Sequence, residues 1–330
     1  MSNAESSFGV LVTGAAGFFG SEIVRQAIVA GLLVRATDRS AARPSSCPDY
    51  FCADILDLDS LDPAMDGVKV VIHAAGLAHI FDKKKAKKAL FKEVNEVGTA
   101  NVALAASEAG VKHFILISSV SVYGPFTQGV YDESAPCQPE GPYAGSKYQA
   151  ELRAIEIAKA SGMALTILRL ATLYGENDPG NVARLMRSID QGRFIWIGDG
   201  SNHKSLLHRE DAARACLAVA QHPASGVNIY NVSAPPYSMR EIVQGLASAL
   251  GKPVPTWHIP GALTLAVAGM ASAITGRTGR LGNLRATLQK WLADDVYLAG
   301  KFEKAFGFKT QVSLAEGLRR EVVWGKNVER

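Results

Sequence analysis

Tyr143 and Lys147 stand four residues apart in the run Tyr143-Ala144-Gly145-Ser146-Lys147, downstream of the hydroxyl-rich run Ser118-Ser119-Val120-Ser121-Val122-Tyr123-Gly124. On a helix that spacing sets a phenol and an ammonium on one face. A phenol with its ordinary pKa near 10 is a poor base at neutral pH, and nearby positive charge favours the phenolate. A lowering of about 3 units corresponds to roughly 4 kcal/mol, within reach of close cations in a partly desolvated site. The serine run follows the apolar strand pattern Phe114–Ile117. Side chains at a strand's carboxyl end point into the crevice where α/β sheets bind ligands. Ser119 is expected to hold a substrate oxygen against Tyr143, with Ser118 and Ser121 as structural neighbours. A Y-x-x-x-K pair alone also occurs on helices that do no chemistry, and serines also cap the segments that follow them.

A second constellation lies at the other end of the chain. Thr13-Gly14-Ala15-Ala16-Gly17-Phe18-Phe19-Gly20 is a G-x-x-G-x-x-G turn between a strand pattern and a helix pattern. Glycines let such a turn approach a pyrophosphate, and the helix N-terminus supplies free N–H groups and partial positive charge. Asp38 follows Gly20 by 18 residues, close to the spacing of the carboxylate that binds an adenosine ribose. The turn, with Phe18 and Phe19 inside it, is therefore read as dinucleotide-binding. A bound nicotinamide would add a second positive charge beside Tyr143. Asp38 accepts from a 2′-hydroxyl and repels a 2′-phosphate, which favours NAD; Arg39 and Arg43 nearby keep NADP open. Asp54-Ile55 would set a carboxylate by the adenine and an apolar wall against its ring, or Asp54 simply caps a helix. Ala74, Ala75 and Gly76, after His73, are small where bulk would meet a cofactor, or where strands pack closely.

These residues need elements to hold them. Strand patterns at Phe8–Val12, Leu32–Ala36, Val68–His73, Phe114–Ile117 and Leu165–Leu168 alternate with helical ones at Ser21–Ala30, Phe91–Glu108 and Lys147–Ala160. That alternation predicts a doubly wound parallel sheet with helices on both faces. After Tyr174-Gly175 segments shorten and Gly and Asn become frequent. Val227–Val232 is expected to return to the first sheet. The expected division is a dinucleotide-binding domain over 1–175, rejoined by about 222–250, and a smaller, mainly helical, discontinuous substrate domain over 176–330.

The 330 residues carry 35 Lys+Arg against 31 Asp+Glu, a net charge of +4, with 48% hydrophobic and 20% charged residues. That balance is too mild to argue for nucleic acid as the partner. It also excludes disordered, collagen-like and disulfide-scaffold classes. Cys47, Cys52, Cys137 and Cys216 form no C-x-x-C pair and have no zinc-type spacing with histidine. Met1–Phe8 lacks the basic-then-apolar pattern of a secretory signal, so a cytoplasmic protein without a metal is expected.

Taken together, the glycine turn, Asp38, Asp54-Ile55, His73–Gly76, Asn95-Glu96-Val97-Gly98-Thr99, Ser118–Gly124, Tyr143–Lys147, Arg169–Gly175 and Gly198–Asp211 resemble the extended short-chain dehydrogenase/reductases, the NAD-dependent epimerase/dehydratases. The resemblance covers nearly the whole chain; Leu170 departs from it, where relatives often carry proline. It implies NAD(P), a Ser119-Tyr143-Lys147 catalytic set, Asn95 among the cofactor-binding positions, and a homodimer. It also implies substrate contacts. Asn181 matches the asparagine that meets the diphosphate of a nucleotide sugar. Lys204 falls where many relatives place a phosphate-binding arginine, and a lysine keeps the charge but loses the bidentate fork. Arg277 or Arg280 would supply a second cation, and His79 would face the sugar pocket. A solvated surface role is the alternative for each.

Two features point past a soluble sugar enzyme. The run Lys83-Lys84-Lys85-Ala86-Lys87-Lys88 is a solvated helix face or a patch for anionic lipid. Gly261–Thr275 is almost wholly apolar yet shorter than the ~20 residues that span a bilayer. It reads as a core helix or as an interfacial one, giving peripheral membrane contact. The C-terminal half is also similar to O-antigen-pathway 4-epimerases acting on polyprenyl-diphosphate-linked N-acetylhexosamine. The expectation is thus an NAD-dependent 4-epimerase of a diphosphate-linked hexose or N-acetylhexosamine. Its rivals are a net reductase of a 4-ketosugar or 3β-hydroxysteroid, and a non-catalytic dinucleotide sensor. A dehydratase would need an acid pair near Ser119, which Val120 and Ser121 do not supply.

Overall fold

A computed structural model of the chain describes residues 9–41, 47, 49–78, 86–124, 129–222, 225–262, 264–266, 288–289 and 291–328. Five strands come first: β1 Val10–Thr13, β2 Val34–Asp38, β3 Asp49–Cys52, β4 Val70–His73 and β5 His113–Ser119. With the strands Ala164–Leu170 and Val227–Val232 they form one seven-stranded sheet. Its order is Val227–Val232, Ala164–Leu170, β5, β4, β1, β2, β3, and every pairing is parallel. The order reverses at β1, whose Thr13 lies between Thr37 of β2 and His73 of β4. A reversal of this kind opens a crevice at the carboxyl ends of the strands. The doubly wound sheet expected from the sequence is present, and Val227–Val232 does return to its edge, in register from Val227 on Leu165 to Val232 on Leu170.

Alternation along β1 divides the core. Val10 and Val12 face a cluster with Ile23, Ala27, Ala212 and Cys216, under the helices α1 Gly20–Val29 and Arg209–Ala220. Leu11 faces the opposite cluster with Leu61, Val102, Phe114 and Ala154. That side is covered by α2 Leu58–Met65, α4 Gly98–Glu108 and α5 Gly141–Ser161. The single helix expected over Phe91–Glu108 is three pieces: α3 Ala86–Phe91, a π-helical turn Lys92–Val97, and α4. A third cluster, with Tyr174, Ile189, Trp196, Ile242, Leu246 and Leu318, lies among the helices Asn181–Asp190, Met239–Leu250 and Leu314–Val328.

Among the described residues no helix is long and apolar enough to cross a membrane, and no group of three metal-ligating side chains converges. Lys83, Lys84 and Lys85 of the basic run, and most of the apolar Gly261–Thr275 segment, lie outside the described residues; Lys88 is exposed on α3.

Candidate active site

The glycine turn is built by exclusion. Gly14 has φ +70°, where a Cβ would lie 2.6 Å from the Ala75 nitrogen. A Cβ on Gly20 would meet the Gly14 carbonyl oxygen at 2.0 Å. Only glycine allows the first residues of α1 to fold back on the end of β1. Asp38 locks the turn from β2, its Oδ2 accepting from the Ala16 N–H at 3.1 Å. On the β4 side the Ala75 N–H donates to Thr13 Oγ1 at 3.2 Å, and Thr13 Oγ1 lies 2.7 Å from His73 Nδ1. The other His73 nitrogen lies 3.1 Å from Thr99 Oγ1. Burial pushes His73 down to about 3, so this brace beneath the turn is neutral.

At the carboxyl end of β5, Ser119 Oγ accepts from the Ser121 N–H at 3.2 Å. The Tyr143 side chain, from the first turn of α5, lines the same cavity as Ser119, whose hydroxyl favours the ionised phenol. Lys147, one turn further, is 7% exposed and donates Nζ to the Ile117 carbonyl at 2.5 Å. Burial lowers its ammonium to about 8. Burial also raises the Tyr143 phenol above its ordinary value, with the Ser119 hydroxyl opposing that rise. The lowering expected from the sequence rests on the ammonium and a bound nicotinamide together; in the chain alone burial is the larger influence on the phenol.

The helix that carries these two groups is tied down by residues the sequence reading passed over. Glu151, four residues after Lys147, takes a bidentate pair from Arg169, with Nη2 at 2.7 Å from Oε2. It also accepts from Ser118 Oγ at 2.5 Å, which gives Ser118 the structural role expected of it. Arg169 donates on to the Tyr123 hydroxyl at 3.0 Å, and Tyr123 donates to Asn231 Oδ1 at 2.8 Å. The Y-x-x-x-K-x-x-x-E repeat of one helix face was the available signal for Glu151.

Gly14, Gly17, Phe18, Phe19, Gly20, Asp38, Asp54, Ile55, Ala74, Ala75 and Gly76 all line one cavity of about 780 Å³. Ser119, Tyr143, Lys147 and Asn181 line the same cavity. Asp54 also accepts from the Leu56 N–H at 3.0 Å, closing its own turn rather than capping α2. Asn95 does not reach the cavity wall. Its amide donates to the Leu77 carbonyl at 3.0 Å and Ser146 Oγ at 2.9 Å, and its oxygen accepts from the Leu77 N–H, so it braces α5 from below. Lys204 also misses the lining and donates to the Ala293 carbonyl at 2.9 Å. His79, Arg277 and Arg280 lie outside the described residues. Asp295 and Tyr297, which the sequence did not single out, line the same cavity.

The model of the NAD dependent epimerase/dehydratase family matches residues 10–233. The N-acetyl-alpha-D-glucosaminyl-diphospho-ditrans,octacis-undecaprenol 4-epimerase of Escherichia coli O157:H7 is 31% identical over 318 residues, 94% of this chain and 93% of the relative. The UDP-glucose 4-epimerase of Vibrio cholerae is 30% identical over 322 residues, 94% of this chain and 93% of the relative. Among solved structures, MoeE5 with UDP-glucose and NAD superposes at a TM-score of 0.77, with 25% identity, over 97% of this chain and 99% of the other. MoeE5 with UDP-glucuronic acid and NAD gives 0.76, with 26% identity and the same coverage.

Proposed function

Because this chain belongs to the NAD-dependent epimerase/dehydratase family, we propose that it is a 4-epimerase of a diphosphate-linked hexose or N-acetylhexosamine, carried on a nucleotide or on a polyprenyl chain. It is an enzyme, and its cofactor is NAD. The residues present fit that group. A Cβ at Gly14 or Gly20 would strike backbone, so only glycines allow the tight turn that lines the cavity, and Asp38 there offers a carboxylate to a ribose 2′-hydroxyl.

When bound, NAD accepts and returns a hydride, and its oxidised ring brings a positive charge to the catalytic end of the cavity. Tyr143 takes the proton of the C4 hydroxyl as the hydride leaves C4, and gives it back when hydride returns to the opposite face of the 4-ketosugar. Ser119, lining the cavity with Tyr143, holds the sugar oxygen in line. Lys147 would hold the nicotinamide ribose and keep positive charge near the phenol. Asn181 would meet the diphosphate. Since burial disfavours charge on both Tyr143 and Lys147, the phenolate forms in the loaded site rather than in the bare chain.

The observation that carries epimerisation over dehydration is the wall after Ser119. Val120 is buried and Ser121 is a hydroxyl, so neither position after Ser119 supplies an acid to assist loss of water from the sugar. The test is NMR of UDP-glucose and UDP-N-acetylglucosamine incubated with protein whose retained NAD has been measured by mass spectrometry. A mixture of C4 epimers with no net change in NADH supports the reading. Stoichiometric turnover of NADH, or a 4-keto-6-deoxy product, would replace it.

A further inference from the structure

We propose that Asp295 sets the charge selectivity at the sugar end of the cavity, admitting a neutral hexose ring and rejecting a hexuronate. The inference rests on the epimerase reading and deepens it. Backbone bonds hold Asp295 on both sides: its N–H donates to the His203 carbonyl and its carbonyl accepts from the Ser205 N–H, each at 2.8 Å. Tyr297 is 5% exposed and stacks on Tyr123 with centroids 5.7 Å apart and planes at 22°. From there its hydroxyl donates to Asp295 Oδ1 at 2.6 Å. The described residues give the second carboxylate oxygen no hydrogen bond, which leaves an acceptor on the cavity wall. Ser121 lines the same cavity. A carboxylate acceptor suits the O–H groups of a neutral sugar.

No ion pair to Asp295 forms among the described residues: Lys204, its β-bridge partner, sends its ammonium to the Ala293 carbonyl instead. Among the described lining residues the cations are Arg39, beside Asp38, and Lys147, whose ammonium sits on the Ile117 carbonyl. Asp38, Asp54, Glu140 and Asp178 are the other acids of the lining. A sugar carboxylate about 6 Å from Asp295 would be disfavoured by about 10²-fold at the effective dielectric of a protein cleft. The fold alone does not make this choice, since MoeE5 is solved with both a neutral and an acidic sugar nucleotide.

The test compares kcat/KM for UDP-glucose and UDP-glucuronic acid in the NAD-loaded protein and in Asp295→Asn, with retained cofactor as the check of folding. The parent is expected to favour UDP-glucose by about 10²-fold or more. Asp295→Asn should narrow that ratio at least tenfold, the neutral sugar losing an acceptor while the acidic one loses a repulsion. Should Asp295→Asn fail to fold, Tyr297→Phe removes the tether and keeps the charge, so rejection of the uronate must persist. Equal use of both sugars by the parent, an unchanged ratio in Asp295→Asn, or loss of rejection in Tyr297→Phe overturns the assignment and leaves the epimerase standing. Turnover of neither sugar removes the nucleotide-sugar reading and this inference with it.

Discussion

Burial works against charge on both Tyr143 and Lys147, yet the proposed chemistry needs one of them as an anion. The hydroxyl of Ser119 and the charge brought by the loaded cofactor are what can tip the phenol. Tyr143→Phe keeps the ring against Phe91, whose centroid lies 5.9 Å away, and removes the proton acceptor. Turnover should fall by at least ~10² while NAD affinity, read by calorimetry, stays within a few-fold. Activity close to that of the parent would remove Tyr143 from the mechanism. The glycines, Asp38, Ser119 and the Tyr–Lys pair were readable because their roles depend on local backbone shape and on helical spacing. Asp295 was not, because its place depends on pairing with residues 203–205, about ninety positions earlier, and no local pattern reports that. Lys204 shows the same dependence: residue type gave the charge, while the Ala293 carbonyl, about ninety positions later, takes its ammonium.

Two elements show how local irregularity serves the site. The π-helical turn Lys92–Val97 sits where sequence periodicity predicts plain helix, since one extra residue in a turn leaves the apolar spacing nearly intact. It carries Asn95 inward to Leu77 and Ser146. The helix Asn181–Asp190 is started by Asp178, whose carboxylate accepts from the Gly180 N–H at 2.6 Å and the Ala183 N–H at 3.1 Å. Charge and hydrogen bonding together stabilise a helix start by about 1 kcal/mol. Asp178→Ala should therefore loosen the turn that presents Asn181. The expected result is a KM for the sugar raised about fivefold, with kcat and NAD affinity little changed. A fall in kcat with KM unaltered would show that Asp178 serves something other than Asn181.

Across the whole molecule, buried titratable groups shape stability against pH. His113, hydrogen-bonded to Thr166, is pushed by burial down to about 4, and His73 to about 3. Both are neutral in the fold and bind protons more readily once unfolded. Their support is complete above pH 6.5 and is lost as pH falls toward 4, by about 1.4 kcal/mol per unit for each. Glu321, 1% exposed on Leu314–Val328, is pushed up to about 9 by burial and by the charge of Asp178. Its neutral form is favoured in the fold, so its effect has the opposite sign and erodes stability as pH rises from 4.5 to 9. Calorimetry should find the highest Tm near pH 6.5, a gentler acid fall in His113→Gln, and a gentler alkaline fall in Glu321→Gln. Unchanged slopes in both variants would refute this account. The edge strand Val227–Val232 has a further consequence, in the order of synthesis. Its partner Ala164–Leu170 leaves the ribosome some sixty residues earlier and must wait with one row of N–H and C=O groups unpaired. During that interval the nascent chain carries an open, apolar template for any other strand, so elongation between residues 170 and 227 is where it depends most on chaperones and on a brisk ribosome.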